Sequence, residues 1–473
     1  MNPKDNTRRK EFFIMQNKRI LTGIMALILL MMSCSLSSYA ITTQVLKNYD
    51  TLGGGVVYRY NKDTKTVIIS KELSGNGATS RYTESPFEGS DIENVVINDG
   101  VKELTMNLFC KAKKLKSVTI PNSVTLIGRS TFEDCESLTN INIPDNVKNI
   151  DYQAFKGCTN LKSIKIPPNV EELGQYVFYQ CSKLESVVIE NGTKLTAIPS
   201  GAFQECTDLN KISIANGITD LNGRAFEDCK YLTDIALPDT VTNVSQSAFR
   251  NCVRLKTVNL SQNLENVDDS AFRGCVELSD INIPTSLKTI GNYAFSDCKN
   301  LSDITIPAQT DSIGTAAFKD CGDIYVDEIN DNFICDDSIL YSTDKSRLLH
   351  CSTNYCEEYK SPETVTDIDA YAFSSCSLLK KVDLSILKIN QLSEGIFNNC
   401  TSLENAIIPN GVEKIKSYAF YNAQSLESVI IPESVTNIDI RVFNNNNVLG
   451  KFITDDESKV NIGSLNDKNS IIF

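Results

Sequence analysis

The 473-residue chain has no tryptophan and a single histidine, His350. One imidazole rules out multi-histidine metal sites and leaves little room for histidine-dependent acid/base chemistry. A basic surplus is missing too. The formal charge is −13, so no cationic stripe is available to neutralise nucleic-acid phosphates or to grip an anionic membrane. Neither metal, cofactor nor catalytic residues are expected. Long apolar runs are absent except at the start, where Arg8, Arg9, Lys10, Lys18 and Arg19 precede Ile20 to Met32. That charged-then-apolar order is the pattern of an export signal over residues 1–40. Two processing routes remain open: cleavage after Ala40, within Ser38-Tyr39-Ala40, or lipidation of Cys34 at the loose lipoprotein box Met31-Met32-Ser33-Cys34. The expected product is secreted or held at the cell surface, touching membrane only through a lipid anchor.

What the chain does contain is a repeat. A 23-residue period begins at Val101 and recurs at Val124, Val147, Val170, Leu195, Ile218, Val241, Leu264, Leu287 and Thr310, then resumes at Val365, Ile389, Val412 and Val435. Within each unit, positions 1 and 4 are apolar, 8 and 9 read Ala-Phe, 12 is Cys, 15 is Leu, and 18 and 20 are Ile or Val. Alternation at 18 and 20 predicts one short parallel strand per coil, closed by a frequent Pro at 21. Gly, Asp, Asn or Ser at position 5 predicts the cap of a short helix or helical turn over positions 6 to 12, on the opposite side. A coil this small cannot bury its own apolar residues, so stability must come from stacking on neighbours.

Position 9 holds 14 of the 20 phenylalanines, from Phe109 to Phe443, and is read as a core column rather than a sugar-stacking stripe. Position 12 holds 11 of the 16 cysteines, among them Cys135, Cys206 and Cys321. Ala112 and Ala423 replace it, which suits a small buried slot holding a free thiol. Cys335, Cys351 and Cys356 lie off this column, and whether any two of them form a disulfide stays open. His350 beside Cys351 has the look of a base and nucleophile, but adjacent strand residues face opposite sides.

The unit from Ile127 to Pro144 closely resembles the repeat of BspA-like bacterial surface proteins, of the Treponema pallidum class of leucine-rich repeats. The resemblance covers most of Val101 to Leu449. It implies an α/β leucine-rich repeat solenoid that binds and does not catalyse, with some members acting as adhesins for host matrix proteins or other bacteria. The resulting layout is a β-rich N-terminal cap containing a hairpin at 41–86, an array at 87–321, a hairpin insertion at 322–364, a second array with a C-terminal cap at 365–449, and a tail at 450–473. Because 18 and 20 point inward, 17 and 19 point outward, giving Asn140, Asn142, Lys165, Lys211, Asp234, Asn259, Asp280, Asn282, Asp303 and Thr305 as the candidate ligand-binding face, with Ser163, Ser213 and Thr257 in the same rows. An extracellular protein or glycan is the expected partner. The alternative is a structural, self-associating envelope protein.

Overall fold

The computed structural model describes residues 51–71 and 76–446, with the strands Lys451–Ile453 and Asn461–Ile462 beyond them. The export signal, Cys34 and the closing cap at Leu449 lie outside the described residues.

Positions 17 to 19 form the expected parallel strands. Ser163, Ser186 and Lys211 align across three successive coils, as do Asp234, Thr257 and Asp280 across three more. A second strand was not anticipated. Positions 3 and 4 pair with their equivalents to make another parallel ladder, for example Asp220–Leu221 with Asn243–Val244 and Asn266–Val267. These strands have only two residues each, too few for a period-2 pattern to register in the sequence.

The Ala-Phe side also departs from expectation, because no helix occurs among the described residues. Positions 7 and 11 adopt a left-handed backbone in coil after coil, as at Ser130 (φ 52°) and Asp134 (φ 57°), or Arg224 and Asp228 (φ 61° each). A right-handed helix cannot pass through such residues. The gain is in hydrogen bonding. The N–H groups of Ser130, Phe132 and Asp134 donate to the carbonyls of Tyr152, Ala154 and Lys156 in the next coil, at 3.0, 2.8 and 2.7 Å. Those of Thr131, Glu133 and Cys135 turn back within the coil to Gly128, Ser130 and Phe132, each at 3.2 Å. Alternate amides thus serve two coils, and the backbone of this side is satisfied without helix or sheet. Position 5 is accordingly no helix cap. The Gly174 N–H donates to the Ile150 carbonyl at 2.7 Å, and a Cβ there would stand 2.3 Å from the Asp151 backbone, which explains glycine at this site.

The phenylalanines form the core column. From Phe87 to Phe318 consecutive rings lie 5.2 to 5.7 Å apart and within 19° of parallel. Phe87 begins the column although its coil lacks the full repeat. The position-12 thiols are buried beside them, and each has a specific partner: Cys158 Sγ donates to the Phe132 carbonyl and Cys229 Sγ to that of Phe203, both at 3.2 Å. Burial pushes these thiols well above their ordinary pKa. The slot is therefore shaped for a small group with a weak donor.

At the N-terminal end, Val56–Asn61 and Thr66–Lys71 pair antiparallel. The second of these joins the parallel ladder through Thr66↔Asn94 to Ile69↔Ile97, covering what would be an open sheet edge. Between the arrays, Phe333–Asp336, Ile339–Ser342 and Arg347–Cys351 form an antiparallel meander, and the last strand pairs parallel with Asp367–Ile368. The meander has one strand more than a hairpin and stands as a wall between two hydrophobic cores. Leu340 and Leu349 join the first core; Ile339, Tyr341, Leu348 and Cys351 join the second.

Two polar joints, each with a buried carboxylate, hold the second array to what precedes it. The Arg347 guanidinium donates twice to Asp369, at 2.7 and 2.8 Å. Around the wall, Lys319 pairs with Asp297 at 2.6 Å and Asp320 at 3.0 Å, and Asp320 accepts from the Ser374 and Ser375 hydroxyls at 2.7 and 2.8 Å. Burial alone would lower the Lys319 pKa, but the two aspartates overcome it and hold the ammonium above its ordinary value.

Candidate functional site

The outward face of the long strands is built by alternation. Ile164 and Ile166 are buried while Ser163 and Lys165 between them are exposed. All ten residues expected on the binding face (Asn140, Asn142, Lys165, Lys211, Asp234, Asn259, Asp280, Asn282, Asp303 and Thr305) are exposed. Most stand in register across neighbouring coils. Asn142 and Asn282 follow the last paired residue of their strands, and Asp303 immediately precedes Ile304–Ile306.

Their bonding differs. Lys165 pairs with Glu190 of the next coil at 2.8 Å, an interaction that raises its pKa. The Asn282 side-chain oxygen accepts from the Leu260 N–H at 2.8 Å, and the Tyr325 hydroxyl reaches Asp303 at 3.5 Å. No ion pair involves Lys211, Asp234, Asp280 or Asp303 among the described residues. A groove of about 460 Å³ opens on this face between Val188, Lys211, Asp234, Ala236 and Asn259.

Some features of the surface escaped the sequence reading. Val188, 44 % exposed, puts an apolar group in the outward rows. Next to the face, the Arg254 guanidinium lies 4.1 Å from the centre of the Tyr231 ring, itself 47 % exposed. The signal for this pair was present as tyrosine and arginine 23 residues apart, in equivalent places of successive coils. On the turn side, Tyr152, Tyr176 and Tyr179 form edge-on contacts with Arg129 over Tyr152.

His350 is buried at the meander, its Nε2 3.2 Å from the Gly322 carbonyl and its ring 6.3 Å from Phe318. Burial lowers its pKa to about 4. It faces the first core's Phe318, whereas the Cys351 thiol belongs to the second core. The pair is divided by its own strand and does not form a base and nucleophile.

The BspA-type leucine-rich repeat family model matches residues 82–197, 196–325 and 349–463. Among solved structures, a leucine rich cell surface protein from Faecalibacterium prausnitzii is 23% identical with a TM-score of 0.52, covering 89% of this chain and 97% of its own. A leucine-rich repeat protein from Bacteroides ovatus is 20% identical, with a TM-score of 0.42 and coverage of 86% and 100%. The pneumococcal vaccine antigen PcpA is 18% identical, with a TM-score of 0.40 and coverage of 84% and 80%. A search of curated proteins finds no match. Repeat solenoids of this kind are in general interaction scaffolds rather than enzymes. The family match spans well over half of the sequence, and the chain belongs to the BspA-type leucine-rich repeat family.

Proposed function

We propose that this protein is exported and acts outside the cytoplasm as a binding protein, an adhesin whose strand face takes a host extracellular-matrix or microbial surface ligand. The observation that carries this reading is the series of exposed, mostly hydrogen-bonding side chains that stand in register over successive coils above a continuous buried core. Such a surface suits an extended partner, because affinity accumulates coil by coil without a deep pocket. The cell-surface description of the Faecalibacterium prausnitzii protein supports placing this chain at the surface as well.

The test is capture of ligand from extracellular-matrix and microbial surface arrays by the purified mature protein. Substitutions Asn142→Arg, Lys211→Glu and Asn259→Arg should abolish capture while leaving the melting temperature unchanged. Capture that survives all three, or assembly into polymers with no separable ligand, overturns the reading in favour of a structural envelope role. Mass spectrometry of the mature N-terminus distinguishes a lipid on Cys34 from a free Ile41.

A further inference from the structure

The strand face is not electrostatically uniform. From Asn94/Val96 to Lys211/Ser213, its two outward rows contain no carboxylate at all; their charged members are Lys165 and Lys211. From Asp234/Ala236 to Asp323/Tyr325 the rows read Asp234, Thr257, Asp280, Asp303 and Asp323 beside Ala236, Asn259, Asn282, Thr305 and Tyr325, with no lysine or arginine. The change of sign falls between Lys211 and Asp234, inside the groove.

Elsewhere this chain neutralises its charges from coil to coil, as in Lys116–Glu93, Lys194–Glu171 and Lys288–Glu265. The strand-face aspartates lack that treatment. Asp280, Asp303 and Asp323 stand on consecutive coils with no lysine between them in the row; Asp234 alone has a lysine one coil away, Lys211, and the two form no ion pair among the described residues. The surface therefore keeps a line of uncompensated negative charge beside a line of neutral amide and hydroxyl groups, and it is a ligand of opposite charge that completes such an arrangement.

Resting on the strand-face reading above, we propose that the rows from Asp234 to Tyr325 are a track for an extended polypeptide segment bearing arginine or lysine, running from coil to coil across the strands. The spacing fits. Coils repeat at roughly 4.8 Å, so Asp234 and Asp280 lie roughly 10 Å apart, the reach of three residues of extended chain. Basic side chains three residues apart meet aspartates two coils apart, Asp234 and Asp280 or Asp280 and Asp323, and the backbone between them bonds to Asn259, Asn282 and Thr305. The groove beside Val188 and Ala236 takes an apolar side chain at one end, and the half-exposed Tyr325 ring receives a guanidinium at the other. A neutral or acidic glycan supplies no cation for the aspartates.

Fluorescence anisotropy tests this, using a labelled peptide with arginine at every third position between serines and threonines, and a matched peptide with glutamate in place of arginine. The arginine peptide binds, more weakly as salt rises, and Asp280→Asn with Asp303→Asn weakens it about tenfold. Asp311→Asn with Glu363→Gln removes the same charge from exposed positions off the face and changes binding less than about twofold. Equal loss in both pairs, no loss in either, or equal binding of the glutamate peptide overturns the proposal. Array capture that persists while the arginine peptide fails leaves the adhesin reading standing and rejects only the basic partner. Failure of both rejects both.

Discussion

The two phenylalanine columns differ in the way they begin. The first starts where Tyr58 meets Phe87 edge-on at 77°, and one coil later the rings are already within 19° of parallel, then near 10°. The second starts on Tyr359, tilted 56° to Phe373, and the successive angles are 34°, 29° and 7°. Each coil inherits the ring orientation of the one beneath and corrects part of the misfit. A stacked column therefore has a foundation, and the quality of order in the early coils depends on what lies under them. The cap gives the first array a foundation of its own, whereas the second rests on the meander and on the Arg347–Asp369 pair.

The comparison can be broken most severely in the interior of the first column. Phe226 is fully buried between Phe203 and Phe249, and Phe226→Ala should cost about 3 to 5 kcal/mol in chemical denaturation. Hydrogen exchange should place the loss in the first array, with the second array's amides keeping their protection. Next in size is Arg347→Met, which leaves Asp369 buried without its cation and should cost about 3 kcal/mol, read as early unfolding of the second array. Burial already holds the Asp369 carboxyl above the ordinary range despite this guanidinium, so the variant carboxyl should titrate higher still, visible by NMR. A sharper probe of the boundary is acidity. With its folded pKa lowered to about 4 from 6.5, neutral His350 contributes its full stability above pH 6.5. About 3 kcal/mol of it is lost as pH falls from 6.5 to 4, because the unfolded chain takes up the proton first. His350→Gln should flatten that part of the stability profile; an unchanged slope would assign the acid sensitivity to other groups.

Much of the architecture was legible because its determinants are local and repeated. Phe at 9, Cys at 12, Leu at 15 and the alternation at 18 and 20 each mark a buried place that every coil must fill, and His350 could be set aside from the strand period alone. The turn side was not legible in the same way. Ser130, Gln153, Tyr176 and Arg224 all occupy position 7 with positive φ, and nothing in their chemistry announces it. Their conformation is imposed by hydrogen bonds to the next coil, and such bonds have no signature in a single unit. The ten strand-face residues were named from periodicity, but their charge sorting and the groove at Lys211 depend on which coils become neighbours. Phe87 was missed because it stands five residues before its coil's next apolar anchor, Ile92, where every regular coil has six, as from Phe132 to Leu138.

The unusual backbone of positions 7 and 11 has one more implication. Since the neighbouring floor enforces the left-handed geometry at both places, a spliced-in 23-residue cassette needs only its buried anchors to fit, and it offers the floor above the same donors and acceptors it received from below. The staircase can be lengthened or shortened by whole steps while the tread of each stays free to vary, so reach is set by copy number, separately from what the surface recognises.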